Sequence, residues 1–265
     1  SGLFAVCQTS EMFFLSLEER EQIARTVVRA AAGRVPVIAS GHISDSEEKQ
    51  AEELNRIAAT GVDAVILITN RLAAHNEGDE VWLERLNRLL ARVNPDIPLG
   101  FYECPYPYKR LLTPVLIKEV LKLNRFYFLK DTCCDLQQIL EKQALIKDTS
   151  LKLYNANTAT LLPTLRAGVA GYSGIMANFH PELYIWLCTH PNHEKAGALQ
   201  EVLSMAALIE RQVYPSNAKF AMRELGLGLE IDARTCDKTL LNETAKSEVR
   251  QLMSLSKRLW EWVTK

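Results

Sequence analysis

Short runs rich in Val, Ile, Leu and Phe alternate seven times with longer segments of helical periodicity, and this alternation constrains the fold of the 265-residue chain more than any other feature. The apolar runs lie at 2–7, 35–40, 62–69, 97–103, 125–131, 151–156 and 169–176. Near-continuous apolar strands separated by helices predict a parallel sheet covered on both faces. Two architectures satisfy that pattern, an open doubly wound sheet and a closed (β/α)8 barrel. No glycine-rich phosphate fingerprint follows any of the runs, which favours the barrel. A barrel needs eight strands, and this sequence opens directly on one. The expected fold is therefore an α/β (β/α)8 TIM barrel whose strands 2 to 8 occupy 1–192, its first βα unit missing upstream: either the native chain is longer or the barrel is unusual and has a gap. A C-terminal helical region, 193–265, is expected to pack on it.

Local signals support the division. Ser16 precedes a helical pattern with Glu19 three residues on, the capping-box spacing, and Gly33 supplies a stop. The net charge is −1, so no strong field recommends nucleic acid or an anionic membrane as partner. No uninterrupted apolar stretch approaches the roughly twenty residues of a membrane span. The opening "SGLFAVCQTSEMFF" lacks the basic region and cleavage pattern of a signal peptide. Six cysteines without a regular framework suggest reduced thiols, hence a cytoplasmic protein.

In such barrels the chemistry sits at the C-terminal ends of the strands. Those ends carry Cys7-Gln8-Thr9-Ser10-Glu11, Ser40-Gly41-His42, Thr69-Asn70-Arg71, Tyr102-Glu103-Cys104, Lys130-Asp131-Thr132, Tyr154-Asn155-Ala156-Asn157 and Ser173-Gly174. Every strand must end in water somewhere, which accounts for most of these. Lys130 differs because it closes the apolar, aromatic run "RFYFL". A desolvated lysine has a lowered pKa and a usable fraction of neutral amine, which can attack a carbonyl to form a Schiff base. The bland reading is a solvated lysine or one paired with Asp131 or Glu103. Tyr102 ends the preceding strand, where a phenol beside an amine can shuttle protons; its bland reading is a packing tyrosine at the rim. Cys7, His42, His75, Cys104 and Cys133 also fall near strand ends, but none has paired ligand spacing, so no metal is expected.

At this point the chain resembles the dihydrodipicolinate synthase / N-acetylneuraminate lyase family of Schiff-base aldolases and lyases. "CQTSEMFFLSLEER" is similar to the family's Gly-Thr-Thr-Gly-Glu loop and the helix start after it; "FYECP" resembles its Tyr-Asn-x-Pro segment. The spacing of 28 residues from Tyr102 to Lys130 matches the family's interval, and "GVAGYSGIMANFHPE" and "YPSNAKFAMRELGL" resemble its later segments. The resemblance implies that Lys130 forms the imine with pyruvate or another 2-oxo acid and that Tyr102 relays protons. Thr9 and the backbone amides around Ser10 would hold the carboxylate, and the main chain near Asn155 and Ser173 would line the pocket. It implies no metal or organic cofactor, a small-molecule 2-oxo acid as partner, and a homo-oligomer, tetramer or dimer.

The departures are specific. Gln8 replaces the loop's first threonine, and Cys7 and Ser10 replace its glycines. Arg71 and Leu72 stand where synthases carry a tyrosine pair, Pro107 where they carry an arginine (Lys109 and Arg110 follow), and Ser173 where the family has isoleucine. These argue against true dihydrodipicolinate synthesis and for a lyase or aldolase on another 2-oxo acid. Gln8, Asn70, Arg71 and Asn157 are candidates to meet a hydroxylated or carboxylated substrate, Arg71 as a bidentate carboxylate clamp. Two alternatives belong to other classes: a catalytically reduced barrel that binds a keto acid or serves as scaffold, and an amine-free hydratase or isomerase with Glu11 or Glu103 as base.

Overall fold

The computed structural model describes residues 1–265. Each of the seven apolar runs contains a strand: β1 (Leu3–Phe4), β2 (Val37–Ala39), β3 (Ala64–Ile68), β4 (Leu99–Tyr102), β5 (Phe126–Asp131), β6 (Lys152–Asn155) and β7 (Gly171–Tyr172). The strand order in the sheet is the chain order, and β1 to β5 pair in parallel. The chain forms two compact units, Ser1–Tyr154 and Asn155–Lys265, whose border falls within β6.

In the first unit the helices α1 (Leu17–Ala31), α2 (Glu47–Ala58), α3 (Asp79–Leu90), α4 (Pro114–Lys122) and α5 (Leu136–Ile146) follow successive strands. Their starts are written in the sequence. Ser16 and Glu19 form the full capping box of α1, each side chain bonded to the other's backbone N–H. Thr113 caps α4 with Pro114 at its first position, and Asp135 accepts the Gln138 N–H at 2.9 Å to cap α5. α1 stops at Ala32, itself left-handed at φ 49°, with Gly33 next at φ 70°.

The sheet of this unit is curled. The Phe4 ring on β1 lies 5.8 Å from the Phe128 ring on β5 and 5.8 Å from the Tyr102 ring on β4. Four strand spacings of a flat sheet would separate β1 from β5 by about 19 Å. Phe128 also stacks on Tyr154 at 4.8 Å, so Phe4, Tyr102, Phe128 and Tyr154 form an aromatic floor on the concave face. Gly100 makes room for it. A Cβ there would meet Ile66 Cδ1 at 2.6 Å and the Cβ and carbonyl oxygen of Phe128 at 2.8 Å each. Gly100→Ala is expected to cost about 1–3 kcal/mol by overpacking, read as a lower urea midpoint at unchanged slope.

The second unit packs α6 (Leu161–Arg166), α7 (Pro181–Thr189), α8 (Ala196–Ala206), α9 (Ser216–Glu224) and α10 (Glu243–Thr264) around one apolar core. α10 contributes Val249, Leu252 and Val263 from a single stripe. His180, just before α7, meets the Ser256 hydroxyl of α10 at 2.6 Å, and burial pushes its pKa down to about 4, so the imidazole is neutral. No helix is long and apolar enough to cross a membrane.

Candidate functional site

Tyr102 and Lys130 are register partners on β4 and β5. Adjacent partners on a pleated sheet point to the same face, so the sequence interval between them becomes a side-by-side contact. The Lys130 Nζ lies 4.6 Å from the centre of the Tyr102 ring and 5.6 Å from that of Phe4. Lys130 is 8% exposed; its backbone carbonyl accepts Glu103 N–H at 3.2 Å, while the two neighbouring carboxylates pair with Lys142 and not with its Nζ. Burial holds its pKa below the ordinary lysine value, against a smaller upward pull from the neighbouring Cys7 and Cys104 thiols.

Neither acid that could have paired with Lys130 does so. Glu103 and Asp131 each follow a site residue by one position, and strand alternation sends them to the opposite face. There Lys142 of α5 bridges both, its Nζ 2.5 Å from Glu103 Oε1 and 2.6 Å from Asp131 Oδ2, with all three side chains at most 5% exposed. Glu103 also accepts the backbone N–H groups of Leu112 at 2.8 Å and Thr132 at 3.3 Å. Burial pushes Glu103 up to about 7 despite the Lys142 charge, and the two carboxylates raise Lys142. Glu103 therefore holds the strand ends together on the far face, which removes it from the role of base beside Lys130. The sequence reading missed Lys142. Its signal was available: it lies three residues after Ile139 and four before Ile146, on the apolar stripe of α5.

The loop after β1 is a short 3-10 turn, Gln8–Ser10. The Ser10 hydroxyl is turned back onto its own loop, accepting Cys7 N–H at 2.8 Å and donating to Cys7 O at 2.9 Å. The Ser10 and Glu11 amides also close the turn, onto Cys7 O and Gln8 O. That leaves the amides of Gln8 and Thr9, with the Thr9 hydroxyl, as the donors not bonded within the protein. Gln8 is drawn to Tyr102 on β4: its Oε1 accepts the Tyr102 hydroxyl at 3.3 Å and lies 3.6 Å from the Cys104 thiol, whose nearer acceptor is Tyr106 O at 3.5 Å.

Other polar candidates are engaged elsewhere. Asn70 Nδ2 donates to Cys104 O, Tyr106 O and Tyr108 O, pinning the loop after β4. Arg71 donates to Ile43 O at 3.1 Å and pairs with Asp45 at 2.9 Å, lining a polar cleft of about 350 Å³ with Gln50, Arg85 and Arg88. A substrate carboxylate would have to displace Asp45 to be clamped by it. Lys109 donates to Thr132 O at 2.6 Å, and Arg110 pairs with Asp79. In the second unit, Asn155 is fully buried: its Nδ2 donates to the Thr160 and Thr164 hydroxyls, its Oδ1 accepts Asn157 N–H, and its carbonyl accepts Ser173 N–H at 2.9 Å. Asn157 Oδ1 accepts Thr160 N–H at 3.1 Å.

The thiols and imidazoles do not gather as metal ligands. His42 Nδ1 donates to Gln50 Oε1 at 3.2 Å and its Nε2 accepts Ile68 N–H; burial pushes its pKa down to about 3. His75 packs on the Tyr108 ring. Cys104 lies beside Lys130, and burial raises its thiol to about 11.

The model of the dihydrodipicolinate synthetase family matches residues 1–255. A 4-hydroxy-tetrahydrodipicolinate synthase of Clostridium perfringens is 29% identical over 180 residues, an alignment that spans 67% of this chain and only 59% of that relative. Among solved structures, YagE, a prophage protein of the dihydrodipicolinic acid synthase family from E. coli in complex with pyruvate, has a TM-score of 0.84 at 20% identity. That alignment covers 97% of this chain and 87% of YagE. A Ruminococcus gnavus sialic acid aldolase, solved as a catalytic lysine mutant, has a TM-score of 0.82 at 19% identity and covers 97% of this chain and 85% of its own. At these identities the two structures bear on the fold, which they share.

Proposed function

We propose, from the premise that the chain belongs to the dihydrodipicolinate synthetase family, that it is a Schiff-base-forming lyase or aldolase acting on pyruvate or another 2-oxo acid, and not a true dihydrodipicolinate synthase. The observation that carries this reading is the Lys130 amine: buried, unpaired, and 4.6 Å from the Tyr102 ring on the concave face. A neutral amine there attacks the C2 carbonyl of a 2-oxo acid, and loss of water leaves an iminium. The iminium withdraws electrons from the bond between C3 and its substituent, so that bond can break to, or form from, the enamine. Tyr102 supplies and recovers the protons that imine formation and C–C chemistry require.

The carboxylate would be held by the amides of Gln8 and Thr9 and the Thr9 hydroxyl, since the Ser10 groups are already bonded within the turn. All of these groups belong to the first unit; lining of the pocket by the main chain at Asn155 and Ser173 stays an expectation from the family. The case against the synthase rests on Gln8, Arg71 and Leu72, which lack the hydroxyls found at those places, and on Pro107, which lacks the guanidinium found at its own. Arg71 is held by Asp45, which makes it a second-choice carboxylate clamp. A cytoplasmic homo-oligomer, with the barrel over 1–192 and helices from 193 packed on it, completes the reading.

A panel of 2-oxo acids under borohydride, read by intact mass, tests this proposal. A stable adduct with at least one acid supports it; none with any acid favours a keto-acid-binding scaffold. Tyr102→Phe is expected to keep the adduct and to slow carbon–carbon turnover by about 10²–10⁴-fold, measured on the substrate the panel identifies.

A further inference from the structure

We propose that the adjacent thiols Cys133 and Cys134 form a redox site. A peroxide oxidises Cys134, Cys133 closes a vicinal disulfide onto it, and the strained ring slows the chemistry of Lys130 until the bond is reduced. The coupling to Lys130 rests on the Schiff-base reading; the disulfide does not. The pair lies in the turn between β5 and α5, three and four residues beyond Lys130. Cys134 is exposed and Cys133 half-buried, while Cys7 and Cys104 are buried. Cys134 Sγ donates to Thr132 O at 3.4 Å, and the Lys109 ammonium donates to the same oxygen at 2.6 Å, so a cation stands beside the exposed thiol. Reactive thiols occupy such electropositive, open surroundings, and sensor thiols stand next to a resolving partner. Cys133 is that partner. Burial, and then the Asp131 carboxylate, push its pKa up to about 12, so it does not make the first attack.

The steps balance. The Cys134 sulfur attacks one oxygen of hydrogen peroxide; an S–O bond forms, the O–O bond breaks, and a sulfenic acid and water result. The Cys133 sulfur then attacks Cys134 Sγ. The S–S bond forms, the S–O bond breaks, and the hydroxyl departs with the Cys133 proton as a second water. The two thiols lose two electrons, and the peroxide takes them up. Consecutive Cα atoms across a trans peptide stand about 3.8 Å apart, short of the roughly 4.4–6.8 Å that an ordinary disulfide spans. The ring is therefore strained, and strained, exposed disulfides are the readily reduced ones. Closing it takes both sulfurs off the backbone. Cys133 Sγ lies 3.5 Å from Asp135 O and accepts the N–H of Asp135, the N-cap of α5, at 3.4 Å. The Cys133 N–H bonds Asp131 Oδ1 at 2.9 Å, and Asp131 is the residue that follows Lys130 and pairs with Lys142. Strain at Cys133 thus reaches the strand end that carries the amine.

The test treats the full chain with hydrogen peroxide, blocks open thiols with N-ethylmaleimide and maps tryptic peptides. Cleavage after Lys130 and Lys142 puts both thiols on one peptide, 131–142. The expected product is that peptide lighter by two hydrogen atoms and free of maleimide, with dithiothreitol before blocking returning the doubly alkylated form. Cys133→Ser should instead leave a sulfenic acid on Cys134 that dimedone captures, and Cys134→Ser should leave Cys133 open to maleimide. Pyruvate and cyanoborohydride, applied to the oxidised and the reduced protein, read the coupling. Oxidation is expected to slow adduct formation by about tenfold or more, the scale of a displaced reacting group, and dithiothreitol to restore it. In Cys134→Ser, peroxide should leave the rate unchanged. A pair still open to maleimide after peroxide, or a disulfide joining other cysteines in its place, overturns the inference. So does an oxidised protein that traps pyruvate as fast as the reduced one, or an equal slowing in Cys134→Ser. A reduced wild type that gains no adduct defeats the Schiff-base reading, while the peptide masses still decide the redox site.

Discussion

Incubated with pyruvate and cyanoborohydride, the wild-type protein is expected to gain one pyruvate-derived mass on Lys130, and Lys130→Ala none. The nucleophile is the neutral amine, and burial holds its pKa below the ordinary lysine value of 10.5. The trapping rate should therefore rise with pH and level off below 10.5, where the folded-state amine is already deprotonated. A rate still climbing through pH 10.5 would mean a solvated lysine. The same burial has a consequence for stability. The folded-state pKa is depressed, so between the folded and unfolded values the unfolded chain binds more protons, and stability rises with pH across that window. Below the folded value the whole cost of burying the charge is present. Lys130→Met removes that cost and is expected to stabilise the protein at neutral pH by about 1–3 kcal/mol, read from the urea midpoint, while abolishing the adduct. A loss of stability in Lys130→Met would mean that the amine has a partner worth more than its burial.

What could be read from the chain and what could not follow from the range of the interactions. The seven strands and the helix starts at Ser16, Thr113 and Asp135 depend on neighbours within four residues, and each sits where its pattern places it. Tyr102 beside Lys130 needs only strand order and one register, which a parallel βα repeat supplies. The Gln8–Tyr102 bond joins residues 94 apart. Nothing local in "CQTSEM" says whether the carboxamide turns toward the concave face of the sheet or toward water. Ser10 shows the converse: its hydroxyl suits a ligand, but its own loop lies nearer and takes it. Arg71 was claimed as readily by Asp45. Side chains of the same type at strand ends thus part according to which partner the fold brings first, and the sequence pattern carries no record of that choice.

Lys142→Met is expected to destabilise the protein by about 3–5 kcal/mol, a large share of the roughly 5–15 kcal/mol that holds a domain folded. The substitution keeps an unbranched apolar stem of nearly the same length on the apolar stripe of α5. It leaves Glu103 and Asp131 buried with no counter-charge, where a single ammonium now meets both at 2.5 and 2.6 Å. The loss should depend on pH in a definite direction. Glu103 is already pushed up to about 7, and without Lys142 its proton is held more firmly still. Protonating Glu103 relieves the folded state, which then binds more protons than the unfolded chain, so the stability of the variant falls as pH rises. The difference from wild type should be largest near pH 8 and shrink toward pH 5, measured by urea unfolding at each pH. Adding Glu103→Gln and Asp131→Asn to Lys142→Met removes both orphaned charges and should recover part of the loss, a coupling that independent sites would not show. A pH-independent loss with no recovery in the triple variant would place the effect in packing of the Lys142 stem and not in its charge. Glu103 and Asp131 directly follow Tyr102 and Lys130, so the clamp that fixes them also fixes the spacing of the two strand ends on which the amine and the phenol stand.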